Sequence, residues 1–245
     1  MTPRRIVLLA LALAIVSATI STGAQTPAVR PLRILFSGNS LTESNDLPGI
    51  VTRLAMADGQ PQPLTRMVAV GGFSLEDHWN QGDARRAIRA GPWDFVVLQQ
   101  GPSALPESRQ LLVAYARRFG DAITKAGARP AMYMVWPSLS RPSDFGGVSE
   151  SYRAAAKAIG AVVLGAGEAW SLTLQRQRGL PLYSSDGLHP TFAGSYLAAL
   201  VIYQGLFARS PIGLPALGGL PATEARALQD AAFDVRDPRA PAPMR

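Results

Sequence analysis

Apolar positions along this chain fall into short continuous runs that take turns with longer helical stripes. Leu32 to Phe36, Met67 to Val70, Phe95 to Leu98, Ala131 to Trp136 and Ala161 to Leu164 are apolar runs of four to six residues, the first interrupted only by Arg33. Runs this short and this apolar read as strands buried on both faces of a parallel sheet. Between them the spacing turns helical. Leu47, Ile50, Val51, Leu54 and Ala55 share one stripe, as do Leu112, Tyr115, Phe119 and Ile123 within Glu107 to Ala126. Gly59 and Gly127 mark the stops of these two helices. Further helices are expected around Tyr152 to Ile159 and from Pro190 through Phe207, and Arg85, Arg86 and Arg89 mark an exposed helix face. The alternation predicts an α/β fold with a parallel sheet of about five strands and helices on both sides. In such sheets ligands bind at the carboxyl ends of the strands, so chemistry is sought just after each run.

The two ends of the chain read differently from its middle. Arg4 and Arg5 precede eleven apolar residues, Ile6 to Val16, and then small residues as far as Ala24. This layout predicts a signal peptide over residues 1–24 and export to the periplasm or beyond. The apolar run is shorter than the roughly 20 residues that span a bilayer. An uncleaved anchor is the alternative; otherwise no stable membrane insertion is expected once the segment is removed. Residues 25–210 read as the main domain. Residues 211–245 are rich in Pro, Gly and Ala and read as one helix, Thr223 to Phe233, within a tail.

Composition narrows the chemistry. The 245 residues include no Cys and two His. That excludes disulfides, thiol nucleophiles, Cys-ligated metals and a three-histidine metal site. With 47% hydrophobic and 17% charged residues the chain has a folding composition. The net charge of +7 drops to +5 without residues 1–24, which hold two Arg and no acid. The cations are dispersed, with no run of five and no interleaved aromatics, so no nucleic-acid partner is expected. Phosphate-loop, H-E-x-x-H and G-x-S-x-G patterns are absent, and Gly165-Ala166-Gly167 only begins a dinucleotide fingerprint, with Trp170 where its third Gly would stand.

Two segments stand at positions where chemistry is expected. Ser37-Gly38-Asn39-Ser40-Leu41-Thr42 follows the first strand, and glycine there permits a tight path that exposes Ser40 as a nucleophile. Asp186-Gly187-Leu188-His189-Pro190 precedes the last long helix. A carboxylate three residues before a histidine, across a glycine turn, can orient the imidazole and leave Nε2 free as a base. Taken singly, the first segment is also an ordinary turn and the second an ordinary helix cap.

Gly38-Asn39-Ser40-Leu41-Thr42 near the start and Asp186-x-x-His189-Pro190 near the end together resemble the first and last blocks of the SGNH/GDSL hydrolases. The resemblance implies a flavodoxin-like, three-layer α/β/α fold and ester hydrolysis through an acyl-enzyme, with no cofactor and no metal. It puts the nucleophile on Ser40, the base on His189 and the orienting acid on Asp186. It also implies an oxyanion hole of the Ser40 N–H, a glycine N–H and an Asn side chain. Gly72, after the second strand, fits the second donor. The third departs from the pattern: Gln99-Gln100-Gly101-Pro102-Ser103 follows the third strand and has no Asn. Gln100 is the first choice there, Gln99 and Ser103 the fallbacks, since a Gln amide donates the same kind of bond. Asn39 replaces the more usual Asp. His78 is expected on a helix surface or lining the crevice, and Trp136 is the candidate substrate-facing aromatic. The expected substrate is a small-molecule or carbohydrate ester, an O-acetylated carbohydrate among them. A carbohydrate- or peptide-binding module without turnover is the alternative.

Overall fold

The computed structural model describes residues 30–237. The expected signal peptide, residues 1–24, lies outside the described residues, as does the end of the tail. Five strands, β1 (Arg33–Gly38), β2 (Leu64–Ala69), β3 (Phe95–Leu98), β4 (Arg129–Tyr133) and β5 (Val162–Leu164), form one parallel sheet in the order β2-β1-β3-β4-β5. The order reverses between β1 and β3. Connections leaving those two neighbours go to opposite faces, which opens a crevice at their carboxyl ends. Register sharpens it: Gly38 lies beside Ala69 and Ser37 beside Leu98, so three loops leave the sheet at one level.

Nine helices are described: α1 (Ser40–Glu43), α2 (Leu47–Ala57), α3 (Leu75–Gln81), α4 (Asp83–Arg89), α5 (Pro106–Lys125), α6 (Phe145–Ile159), α7 (Ala166–Arg176), α8 (Phe192–Phe207) and α9 (Ala222–Asp234). Helices α2 and α8 cover one face, with α7 and α9 packed behind; α4, α5 and α6 cover the other, with α3 alongside. Helix α8 is apolar nearly all round because α2, α7 and α9 enclose it. Leu197, Leu200 and Ile202 on it are fully buried, and truncating any one to Ala costs about 2–5 kcal/mol. Among the described residues no helix is long and apolar enough to cross a membrane.

The three-layer, five-stranded fold is the one the alternation predicted. Three details differ. Strand β2 is not covered on both faces: it is a sheet edge with Leu64 and Met67 exposed. Gly165-Ala166-Gly167 opens α7, a helix the periodicity did not reveal. Gly167 is there for contact, since a Cβ would sit 2.2 Å from the Val135 carbonyl oxygen. Around the expected C-terminal helix, which packs on α7 and α8 as α9, the flanking residues are also bonded to the body. Gln229 accepts from the Gly213 N–H and donates to the Leu214 carbonyl, Gln204 donates to the Ala232 carbonyl, and Asp237 accepts from the Val163 N–H. Residues 211–237 therefore belong to the main body.

Candidate active site

Strand β1 delivers the chain into a turn that only glycine permits. A Cβ on Gly38 would lie 2.2 Å from Thr42 Oγ1 and 2.4 Å from Gln99 Oε1. Asn39 follows in extended backbone and caps α1, its side-chain oxygen accepting the Leu41 N–H at 3.1 Å. Ser40 is thereby fixed as the first helical residue. It lines a cavity of about 350 Å³ with Gly72, Phe73, Gln100, Pro102 and Leu188.

The loop after α7 brings the other half. Gly187 takes φ +70°, the left-handed region that favours glycine, and turns the chain so that Asp186 folds back on His189. Asp186 Oδ1 accepts from the Ser184 hydroxyl, the Leu188 N–H and the His189 N–H, each at 2.9 Å. Its Oδ2 lies 2.5 Å from His189 Nδ1, and His189 Nε2 lies 2.9 Å from Ser40 Oγ. The Leu188 N–H above all, then the imidazole, hold the Asp186 carboxyl well below the usual carboxylate range. The structure thus brings together Ser40, His189 and Asp186, across 149 positions of sequence. Pro190 stands outside α8, whose cap is Thr191.

Asn45, which sequence reasoning missed, spans the gap between the two halves. Its side-chain amide donates toward the Pro190 and Thr191 carbonyls at 3.2 Å and toward Ser195 Oγ at 2.9 Å. Asn45 (φ 55°) and Asp46 (φ 54°) both sit in left-handed backbone, which Asn and Asp tolerate better than other side chains. The Asn45-Asp46 pair straight after the Ser40 helix is the signal that could have revealed a strained, purposeful turn.

The residues expected as oxyanion donors lie in the loops after β2 and β3. Val70 to Phe73 is a turn closed by the Phe73 N–H on the Val70 carbonyl at 3.1 Å, with Gly72 at φ +76° in its third position. That is a type II turn, which needs a positive φ there. Among the described residues the N–H groups of Ser40 and Gly72 meet no acceptor.

The two glutamines differ in a way the sequence left open. Gln99 is fully buried and spent. Its oxygen accepts from the Asn39 N–H (2.8 Å) and the Thr42 hydroxyl (2.7 Å), and its amide donates to Asn39 Oδ1 (2.9 Å) and the Gln100 carbonyl (2.7 Å). Gln100 takes the Leu75 N–H on its oxygen at 3.0 Å, which fixes the amide's orientation, and donates one N–H to Ser103 Oγ at 2.7 Å. Its second N–H is left for the cavity that it lines. The Ser103 hydroxyl donates in turn to the Gly101 carbonyl at 3.2 Å, so it supports Gln100. Beneath, the Tyr152 hydroxyl donates to the Gln100 carbonyl at 2.5 Å, and burial pushes that phenol far above its ordinary pKa, keeping it a donor.

His78 and Trp136 are elsewhere than expected. His78 is neither on the surface nor in the crevice: it is fully buried, with Nε2 2.7 Å from the Gly38 carbonyl oxygen and Nδ1 unpartnered. Burial holds its pKa below the ordinary value, so the ring is a neutral strut under the Ser40 turn, donating from Nε2. The Leu75–His78 spacing, one helical turn, was the available sign that both face inward. Trp136 is also fully buried, stacked on Trp170 at 3.6 Å, and its Nε1–H donates to the Leu188 carbonyl at 3.0 Å. It supports the His189 loop from behind. Asn39, which stands in place of the more usual Asp, ties three loops through Leu41, Phe73 and Gln99.

No family model and no curated protein sequence matches the chain. Solved structures do. An SGNH-hydrolase candidate from Slackia heliotrinireducens is 28% identical, over 71% of this chain and 98% of that one, with a TM-score of 0.59. A DUF4886 family protein from Bacteroides uniformis (19%, covering 84% and 94%, TM-score 0.69) and a lipase/acylhydrolase from Enterococcus faecalis (20%, covering 71% and 94%, TM-score 0.56) share the fold. The sheet order and these neighbours support membership of the SGNH/GDSL hydrolases and, with it, an ester-hydrolysing enzyme.

Proposed function

We propose that this chain is an exported serine esterase that cleaves a carboxylic ester through an acyl-enzyme on Ser40. The observation that carries the reading is the relay Asp186 Oδ2–His189 Nδ1 at 2.5 Å and His189 Nε2–Ser40 Oγ at 2.9 Å, at the wall of the 350 Å³ cavity. Ser40 Oγ attacks the ester carbonyl carbon while its proton passes to His189 Nε2. The carbonyl oxygen becomes an oxyanion, held by the N–H groups of Ser40 and Gly72 and the second N–H of Gln100. As the tetrahedral intermediate collapses, His189 gives that proton to the departing alkoxide, which leaves as the alcohol. A water then loses its proton to His189 and attacks the acyl carbon. The acid leaves and Ser40 recovers its proton. Asp186, kept as a carboxylate, holds the imidazole in the tautomer with Nε2 free and stabilises the imidazolium between the two steps.

Phe73, Pro102 and Leu188 bound a space suited to a short acyl group and leave one side open for a larger alcohol. A short acyl group on a bulky polar alcohol, with the signal-like residues 1–24, favours an O-acetylated carbohydrate met outside the cytoplasm. Hydrolysis of p-nitrophenyl acetate by purified protein tests the reading. Ser40→Ala and His189→Ala are each expected to lower turnover by about 10⁴-fold or more. Equal rates in the three proteins would remove it.

A further inference from the structure

Away from the Ser40 cavity, helices α3, α4 and α5 line a groove of about 510 Å³ that combines positive charge with apolar surface. Trp79, Ala122 and Ala126 supply the apolar part; Arg85, Arg89 and Lys125 supply the charge. The Arg85 guanidinium lies over the Trp79 ring at 5.0 Å, with Arg118 on the same ring at 5.9 Å. A cation on an indole face gains from the ring quadrupole yet keeps its N–H edge free for an anion.

Several observations mark the groove as short of an anion. Arg85, Arg89, Arg118 and Lys125 take part in none of the ion pairs of the described residues. Asp83, the acid at the start of α4, is taken by Arg86. Asp121, the other nearby acid on α5, comes within 4 Å of no cation among the described residues. Arg85 Nε is buried with no acceptor. With Nε shut in, the remaining N–H groups of the guanidinium are the ones an anion in the groove would meet.

We propose that this groove binds a small amphiphilic anion, one with a compact anionic head on a short apolar body. The head sits against Arg85, Arg89 and Lys125; the body lies over Ala122, Ala126 and the Trp79 edge. The volume is that of a site for one small molecule. A bare inorganic anion would leave the apolar part unused, and a neutral amphiphile would leave the cations unpaired.

Calorimetry with octyl phosphate below its micellar concentration tests this, with octyl glucoside, inorganic phosphate and anionic phospholipid vesicles as the other arms. Octyl phosphate is expected to bind one per chain, at least tenfold tighter than octyl glucoside or inorganic phosphate. Arg85→Gln, Arg89→Gln and Lys125→Gln are each expected to weaken it about tenfold, the size of one charge-assisted hydrogen bond. Ser40→Ala should leave binding unchanged, which separates this groove from the ester site. Trp79→Phe, which keeps an aromatic ring packed on Phe119, should weaken binding without loss of fold. Equal binding of octyl phosphate and octyl glucoside, indifference to all three charge substitutions, loss on Ser40→Ala, or binding to vesicles alone would each overturn the proposal.

Discussion

The two halves of the Ser40 site are built on opposite physical plans. The His189–Asp186 half rides on an exposed loop, where Asp186 keeps about half its surface in water and is held by hydrogen bonds from its own turn. The half proposed to hold the oxyanion rests on buried polar groups, namely Asn39, His78, Gln99, Gln100 and Tyr152, each bonded to a neighbouring loop. Exposed ion pairs add little to stability, whereas a buried donor or acceptor left unpaired costs about 1–3 kcal/mol. Damage to the first half should therefore reach activity alone. Damage to the second should reach activity and folding together.

The largest effect expected from that contrast is on the exposed side. Asp186→Asn keeps the shape of the turn but favours the wrong imidazole tautomer, and should lower turnover by about 10⁴-fold. Its Oδ1 bonds within the turn survive, so its melting temperature near pH 7 should fall less than that of Gln100→Leu. Gln100→Leu comes next: it removes one oxyanion donor, for a loss of about 10²–10³ in turnover. It also strips the Leu75 N–H of its acceptor, so thermal unfolding should show a lower melting temperature as well.

The smallest effect separates the halves by pH. His78 is depressed in the fold, so the unfolded chain takes up a proton first, near 6.5. Stability from this group is full above pH 6.5 and declines below it, until the buried ring itself titrates. The Asp186 carboxyl is also depressed, but its contribution is full above the unfolded value of 3.8 and is lost only as pH falls further. Melting curves from pH 7 to 5 should thus slope downward in wild type and be flatter in His78→Phe, while Asp186→Asn alters the slope only below about pH 4. The same slope in His78→Phe and wild type between pH 7 and 5 would mean that His78 is not the buried neutral group described.

What was legible in the sequence follows the same division. Strand runs and the segments around Ser40 and His189 could be read because each is local: a buried strand is apolar within itself, and Asp186 and His189 are three residues apart. The bed under Ser40 is made of pairings far apart in sequence, Asn39 with Gln99, Leu75 with Gln100, His78 with Gly38, Asn45 with Pro190. Polar residues at loop starts carry no mark of which partner they will meet. The sequence puts Gln100 ahead of Gln99 without a physical reason; the four bonds of Gln99 supply it. His78 was misplaced because a histidine among Glu76, Asp77 and Asn80 looks like part of a solvated face, and inward packing from α3 overrode that local polarity. The exposure of β2 was equally hidden, since edge and centre of a parallel sheet differ in neighbours more than in composition.

The covalent step proposed at Ser40 is open to a direct measurement, the intact mass of the protein after reaction with a fluorophosphonate. Acyl-enzyme chemistry at this site predicts one adduct per chain in wild type, none in Ser40→Ala, and much slower labelling in His189→Ala. An adduct that persists in Ser40→Ala, or labelling indifferent to loss of His189, would contradict it.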